Sequence, residues 1–542
     1  MQDWDSATGG GFDRGASSSG QIQSPEPVPR EREEYEVRAC CCVDRYAAPM
    51  GTTVTLPLWL VVILVGVALW ALVARVLVAG ARWYLRRRAN KLIGELNRRL
   101  DLEIPPIALA QRHVLIDRLV YDPKVMEEVS RYCEREHVPR SVAVAQVRTY
   151  AREVAPAFNA YVYFRVASWL SKRILEKLYR VRLGHADERT MRGIDANASV
   201  VLVMNHRSNV DYVLVTYLVL ERVAISYAVG EWARVWPLQQ LVRLLGAYFV
   251  RRNSGDPLYR RVLERYVQMA VEGGVTQAIF PEGGLSRDGR LRRPKIGLLD
   301  YMLRDFDTEG QRDIVFVPVS INYDRVLEDR TLLLDGDPDA ERKTGARVVK
   351  LICGLLVRAV RLKLAGKLYR FGYACANFGT PISLREYARS RNWQPKLEDR
   401  ETRVTKAFEL ADHLMEHIAK LVPVLPVSLL AVIFLEHPER RYTVIALRRR
   451  VAEQLQRFEE MKSHVYMPRR DPEYFVEVGL RMMTLRRMVE VEQEQPERTY
   501  KANEGELRLL AYYANAIEGQ PTPWSGRIAD ETEQWADITQ FD

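Results

Sequence analysis

Val200-Val201-Leu202-Val203-Met204 runs directly into Asn205-His206-Arg207-Ser208-Asn209-Val210-Asp211. The first part is continuously apolar and β-branched, the pattern of a strand. It stops abruptly at polar residues, so His206 falls at a strand end. Asp211 follows five residues later. On one straight helix that offset would place the two side chains far apart around the axis. With a turn between them, the carboxylate can come back to the imidazole. A carboxylate on one ring nitrogen fixes the tautomer and leaves the other nitrogen to accept a proton. Such a pair can activate a hydroxyl as a nucleophile. A second reading of the same residues stays open. Ser208-x-x-Asp211 also looks like the start of a helix, with Asp211 serving only its N-terminus.

Outward from this stretch, short β-branched runs alternate with helical ones. Strands are expected at Ser199–Met204, Ala224–Val229, Thr276–Phe280, Ile314–Ile321 and Arg370–Asn377, with an amphipathic helix at Leu258–Val271. That alternation predicts an α/β fold with helices on the sheet. Three more blocks lie in this region. Gly246-Ala247-Tyr248-Phe249-Val250-Arg251-Arg252 is a short apolar strand ending in two arginines. Phe280-Pro281-Glu282-Gly283-Gly284-Leu285-Ser286-Arg287-Asp288-Gly289-Arg290 follows a strand. Its paired glycines allow positive φ and close approach to a ligand. The N–H groups of such a loop can face an anion, and Arg287 and Arg290 add charge suited to phosphate. An ordinary glycine turn with solvated arginines would read the same way. Val317-Pro318-Val319-Ser320-Ile321-Asn322-Tyr323-Asp324 is a strand in which Ser320 and Asn322 read as turn formers.

The flanks differ. Residues 1–50 are rich in Gly, Ser, Pro, Glu and Arg and are expected to be disordered. They do not read as a signal peptide, because the apolar run starts too late. No charge occurs from Tyr46 to Ala74, and Leu56–Leu77 is long enough to cross roughly 30 Å of hydrocarbon. A transmembrane helix is therefore expected at 54–80. Arg75, Arg82, Arg86, Arg87, Arg88, Lys91, Arg98 and Arg99 follow it, which puts the larger part on the cytoplasmic side of a single-pass membrane protein. Residues 84–185 read as mainly helical. After about 385 the pattern is helical again. Leu421–Leu435 is apolar but short for a span, so it reads as a buried helix or one touching the membrane surface. Glu490–Glu497 reads as an exposed polar stretch.

Composition narrows the function. Of 542 residues, 47% are apolar and 28% charged, which excludes a wholly membrane-embedded chain. The net charge of +10 suits an anionic partner. No base-stacking motif or recognition helix is evident, so nucleic acid is not expected. Six cysteines without a CxxC pair make neither a disulfide framework nor a zinc site.

The four blocks, in this order, resemble the four motifs of the glycerophospholipid acyltransferase superfamily, and within it the PlsB-type glycerol-3-phosphate acyltransferases. His206 and Asp211 match H-x4-D. Gly246–Arg252 match the second motif, with Tyr248 at its aromatic or aliphatic position. Glu282, Gly283, Ser286 and Arg287 match the third, and Val317–Ile321 the fourth. Leu510–Asn515 looks like the helical tail of the same family. One departure is Leu285, where the PlsB type usually has arginine. The resemblance implies an acyltransferase domain at 190–385 with a mixed sheet flanked by helices, followed by a helical C-terminal region at 391–542. It implies a glycerol-3-phosphate 1-O-acyltransferase acting in phospholipid biosynthesis at a membrane. In that reading His206 and Asp211 are catalytic. Arg251, Arg252, Glu282, Gly283, Gly284, Ser286 and Arg287 bind substrate. The donor is acyl-CoA or acyl-carrier protein, the acceptor is glycerol 3-phosphate, and no metal or other cofactor is needed. Dihydroxyacetone phosphate or lysophosphatidate as acceptor, and a catalytically silent lipid-binding scaffold, remain as alternatives. The sequence does not fix an oligomeric state.

Overall fold

The strand that carries His206 is the middle of a mixed sheet. The computed structural model describes residues 112–519, except 160–161, 220–224, 231–237, 252–253, 335–370 and 495–496, and in addition residues 57, 65, 66 and 69. The chain divides into two units, Met1–Leu77 and Val78–Asp542. In the first, Val65, Gly66 and Leu69 are helical and exposed. The rest of the expected span at 54–80, and residues 1–50, lie outside the described residues. Among the described residues no helix is long and apolar enough to cross a membrane.

In the second unit the strands are β1 (Arg180–Ala186), β2 (Ser199–Met204), β3 (Ser226–Val229), β4 (Tyr248–Phe249), β5 (Gln277–Ile279), β6 (Ile314–Tyr323), β7 (Tyr373–Phe378) and β8 (Ile382–Ser383). Their order is β1-β7-β6-β2-β5-β3-β4, with β8 also on β6. The strands β6, β2, β5, β3 and β4 run parallel, whereas β7 and β8 are antiparallel to β6. Every residue of β2 and β6 is buried. Val200, Leu202 and Met204 enter one apolar cluster, while Val201 and Val203 enter another on the opposite face. This explains the unbroken apolar run. Pro318 is tolerated inside β6 for a local reason. Its carbonyl accepts from Gly379 N, on the β7 side. N–H and C=O of one strand residue point the same way, and on that side β6 changes partner from β8 at Phe316 to β7 at Val319. The missing N–H therefore leaves no ladder bond unmade.

One face is covered by helices Pro123–Glu136, Arg140–Val154, Pro257–Glu272 and Arg400–Leu421, the other by Asp211–Val219, Pro426–Glu436, Pro472–Leu485 and Leu507–Asn515. The apolar segment around 421–435 is a buried core helix: Pro426 through Phe434 are all buried. Each of its buried aliphatic side chains contributes about 1.5–3 kcal/mol.

Three expectations need correction. The helical region 84–185 ends in a strand, β1. This edge strand is mostly exposed and carries Arg180, Arg182 and His185, so no apolar run marks it. The C-terminal region is not wholly helical. β9 (Tyr442–Thr443), β10 (Val489–Glu494) and β11 (Glu497–Ala502) form an antiparallel sheet, and Glu490–Glu497 is its hairpin. Glu490 and Glu497 are exposed, while Val489 and Ala502 pair in the core. Ser320 and Asn322 are not turn formers but buried strand residues. Ser320 donates to Ile418 O, and Asn322 to Pro423 O and Ser428.

Candidate active site

β2 and β5 are neighbours and parallel, so the segments that leave their C-terminal ends are neighbours too. This is where open parallel sheets place their ligands. The β2 segment turns at Ser208–Val210 and enters the helix Asp211–Val219. The turn brings Asp211 Oδ2 to 2.9 Å from His206 Nδ1. The same oxygen accepts from Arg207 N at 2.7 Å and Ser208 N at 2.9 Å, and Oδ1 accepts from the Tyr323 hydroxyl at 2.6 Å. Asp211 thus serves both the helix start and the imidazole, so the two sequence readings are one arrangement. Its burial, complete in this site, is offset by donors worth about 1.5–3 kcal/mol each to a charged acceptor. An acceptor-only carboxylate requires the ring proton on Nδ1, which leaves Nε2 as the basic nitrogen.

The ring itself is held from the side. Phe280 lies 4.1 Å from it at 30°, and Tyr212 meets it edge-on at 5.6 Å. His206 N donates to Glu282 Oε1 at 2.8 Å, and His206 O accepts from Ser286 N at 3.0 Å. Glu282 Oε2 accepts from Arg292 N at 3.1 Å. Both Glu282 oxygens are therefore used to tie the glycine loop to the histidine backbone. Burial raises the Glu282 carboxyl above its ordinary value, with the His206 N–H and the Arg207 charge opposing. Asn205 clasps the backbone of Ile321 in β6 with both ends of its amide. Glu328, also raised by burial, takes the Ser208 hydroxyl at 2.7 Å and the Asn209 amide at 3.2 Å.

In the glycine loop, Gly283 has φ +66, and a Cβ there would lie 2.9 Å from Cδ of Lys295. Gly283 N is taken by Phe280 O, whereas the Gly284 N–H has no partner among the described residues. The Ser286 hydroxyl is spent inside the loop, donating to Arg290 O at 2.7 Å and accepting from Gly289 N. Among the described residues Arg287, Arg292 and Lys295 have no ion-pair partner. They form a cationic rim at this loop.

The structure brings His206, Asp211, Glu282 and Ser286 together, with Gly283 and Gly284 in the same loop and Arg287 the next residue after Ser286. Arg251 is differently engaged. Its guanidinium makes a two-point ion pair with Glu153, at 2.8 and 2.7 Å, and lies over the rings of Tyr150 and Tyr259. It fastens β4 to the helix Arg140–Val154 rather than presenting a free charge. A pairing across 98 residues leaves no mark in the local sequence. Arg252 lies outside the described residues. Sequence reading missed Tyr323, Glu328, Phe280 and Lys295. Tyr323 and Glu328 flank the fourth block and Lys295 trails the third, so only the nearness of those blocks pointed to them.

Two family models match this arrangement. Residues 185–322, which hold β2, β5 and most of β6, match the acyltransferase family. More particularly, residues 360–518 match the glycerol-3-phosphate acyltransferase C-terminal region. The chain is similar to the glycerol-3-phosphate acyltransferase of Pseudomonas putida, at 28% identity over 80% of this chain and 51% of that protein. It is also similar to those of Pseudomonas entomophila and Pseudomonas aeruginosa, each 30% identical, over 64% and 67% of this chain and 42% and 43% of theirs. The chain spans about half the length of the curated relatives it matches. These matches bear out the resemblance carried by the four blocks.

Proposed function

We propose that this chain transfers a fatty acyl group from an acyl thioester to the 1-hydroxyl of glycerol 3-phosphate, giving a lysophosphatidate for phospholipid synthesis. The observation that carries the reading is the His206–Asp211 pair, locked at the end of the central strand, with cations on the neighbouring loop that have no ion-pair partner among the described residues. His206 Nε2 takes the hydroxyl proton as the acceptor oxygen forms its bond to the thioester carbonyl carbon. The Gly284 N–H is the donor available for the resulting oxyanion. Collapse expels the thiolate, which recovers the proton from His206. Arg287, Lys295 and Arg292 face the acceptor phosphate, with Arg252 in the same role by resemblance. Lys295 lies across Gly283 of the very loop in which Leu285 replaces arginine, and so supplies a cation there. The names of the similar proteins support this acceptor. The donor is acyl-CoA or acyl-carrier protein. Residues 54–80 anchor the chain in the membrane, and the basic residues after them keep the catalytic part on the cytoplasmic side.

Leu285 favours a second reading, in which dihydroxyacetone phosphate or lysophosphatidate is the acceptor. A silent scaffold has no use for a buried carboxylate saturated with donors around a catalytic imidazole. The test is acyl transfer from a long-chain acyl-CoA, and in parallel from acyl-carrier protein carrying the same chain, by the detergent-solubilised full chain, with the three acceptors compared. Turnover confined to glycerol 3-phosphate upholds the reading. Preference for another acceptor replaces it, and no turnover with either donor overturns it.

A further inference from the structure

The segment Tyr512–Glu518 touches both catalytic loops. Arg207, next to His206, is 1% exposed and has no carboxylate partner among the described residues. Its guanidinium donates to Gly289 O of the glycine loop and, at 3.0 Å, to Ala516 O. Asn515 Nδ2 donates to Asp288 O at 2.9 Å, and Arg290 Nε donates to Glu518 Oε2 at 2.7 Å. Gly289, at φ +89, faces Tyr512 so closely that a Cβ would lie 1.9 Å from its carbonyl oxygen. A third route runs through the helix Leu507–Asn515. Arg486 binds Tyr513 at 2.7 Å and Asp329 at 2.5 Å. The neighbour of Asp329, Glu328, holds the Ser208 hydroxyl.

We infer that Asn515–Glu518 is a latch that fixes the spacing between the His206 turn and the glycine loop. The inference rests on the acyl-transfer reading, since the rate is what this spacing sets. Asn515 and Glu518 touch no reacting atom, so they are positioning residues. A buried guanidinium spent on carbonyl oxygens from two distant segments holds those segments in one register. Loss of either outer contact lets the glycine loop drift from the histidine, and misplacement of this kind lowers the chemical step more than binding. Arg290, attractive in the sequence as a phosphate ligand, is here neutralised by Glu518.

The experiment uses the full chain with Asn515→Ala, Glu518→Gln, and the exchanged pair Arg290→Glu with Glu518→Arg. It reads kcat and KM for glycerol 3-phosphate, the unfolding midpoint, and hydrogen exchange at 205–211 and 283–290 without substrate. Each single substitution is expected to lower kcat about fivefold, as for one lost hydrogen bond, with a smaller change in KM. The exchanged pair should recover most of the kcat lost in Glu518→Gln. Exchange should quicken in both loops while the unfolding midpoint moves little. Unchanged loop exchange would overturn the latch. So would a kcat loss that follows the unfolding midpoint and is not recovered by the exchanged pair. Exchange is read without turnover, so failure of the wild-type reaction would count against the proposed chemistry and leave the latch to stand or fall on the exchange data.

Discussion

The His206 turn and the cationic rim lie on adjacent loops, yet they are built in opposite ways. In the turn, the polar groups of Asn205, Ser208, Asp211 and Glu328 are bound, mostly below 3.2 Å. At the rim, Arg287, Arg292 and Lys295 have no ion-pair partner among the described residues. Groups that perform chemistry have to be held before substrate arrives. Groups that recognise an anion keep their charge for it, because an ion pair already made would have to be broken. Arg251 shows the contrast within one residue type: its bond to Glu153 makes it part of the frame.

The largest expected effect lies in the turn. Asp211→Asn removes the fixed tautomer and should lower kcat about 10³–10⁴-fold, with little change in KM for the acceptor. Steady-state kinetics check the split, and a comparable rise in KM would break the contrast. At the rim the pattern should invert. Lys295→Ala and Arg287→Ala should each raise KM for a phosphate acceptor roughly 10–100-fold and change kcat far less. A dominant fall in kcat there would mean that the rim is part of the catalytic frame.

Tyr323→Phe sharpens the account further. It removes one of the donors to Asp211 and leaves the imidazole contact, so kcat should fall only about 5–10-fold. Burial, followed by the charge of Asp211, holds the Tyr323 hydroxyl well above its ordinary pKa, so it remains a donor across the working range.

The smallest effect concerns Asp324, a buried carboxyl with no imidazole. Burial pushes it up to about 7, with the N–H groups of Tyr373 and Val427 opposing. The folded state then keeps a proton that the unfolded chain loses near pH ~4. Its contribution to stability is fully present below that pH and is lost as pH rises through about 7. The unfolding midpoint should therefore fall between about pH 4 and about pH 7 and level off above, a decline that Asp324→Asn should flatten. An equal slope in the variant would place the titration elsewhere.

Much of this was legible in the sequence where chemistry and local pattern coincide. The apolar, β-branched run at 200–204 marked a strand, and its cover on both faces in the fold accounts for the lack of alternation. The polar break after it placed His206, and the glycine pair marked the second loop. What was not legible depends on distant partners. Glu153 binds Arg251 from 98 residues away, and Ala516 meets Arg207 from 309 away. β1 escaped notice because an exposed edge strand has no core face to pattern it, and the hairpin at 489–502 because its outward residues are charged. Lys295 reads as a solvated lysine until Gly283 is seen beneath it.

The central claim is that His206 is the base of an acyl transfer. Its most direct test is turnover by His206→Ala under saturating acyl donor and glycerol 3-phosphate, beside wild type, with the unfolding midpoint as control. The expected result is a loss of about 10³-fold or more at an unchanged midpoint. A variant that kept a tenth or more of wild-type turnover would contradict it.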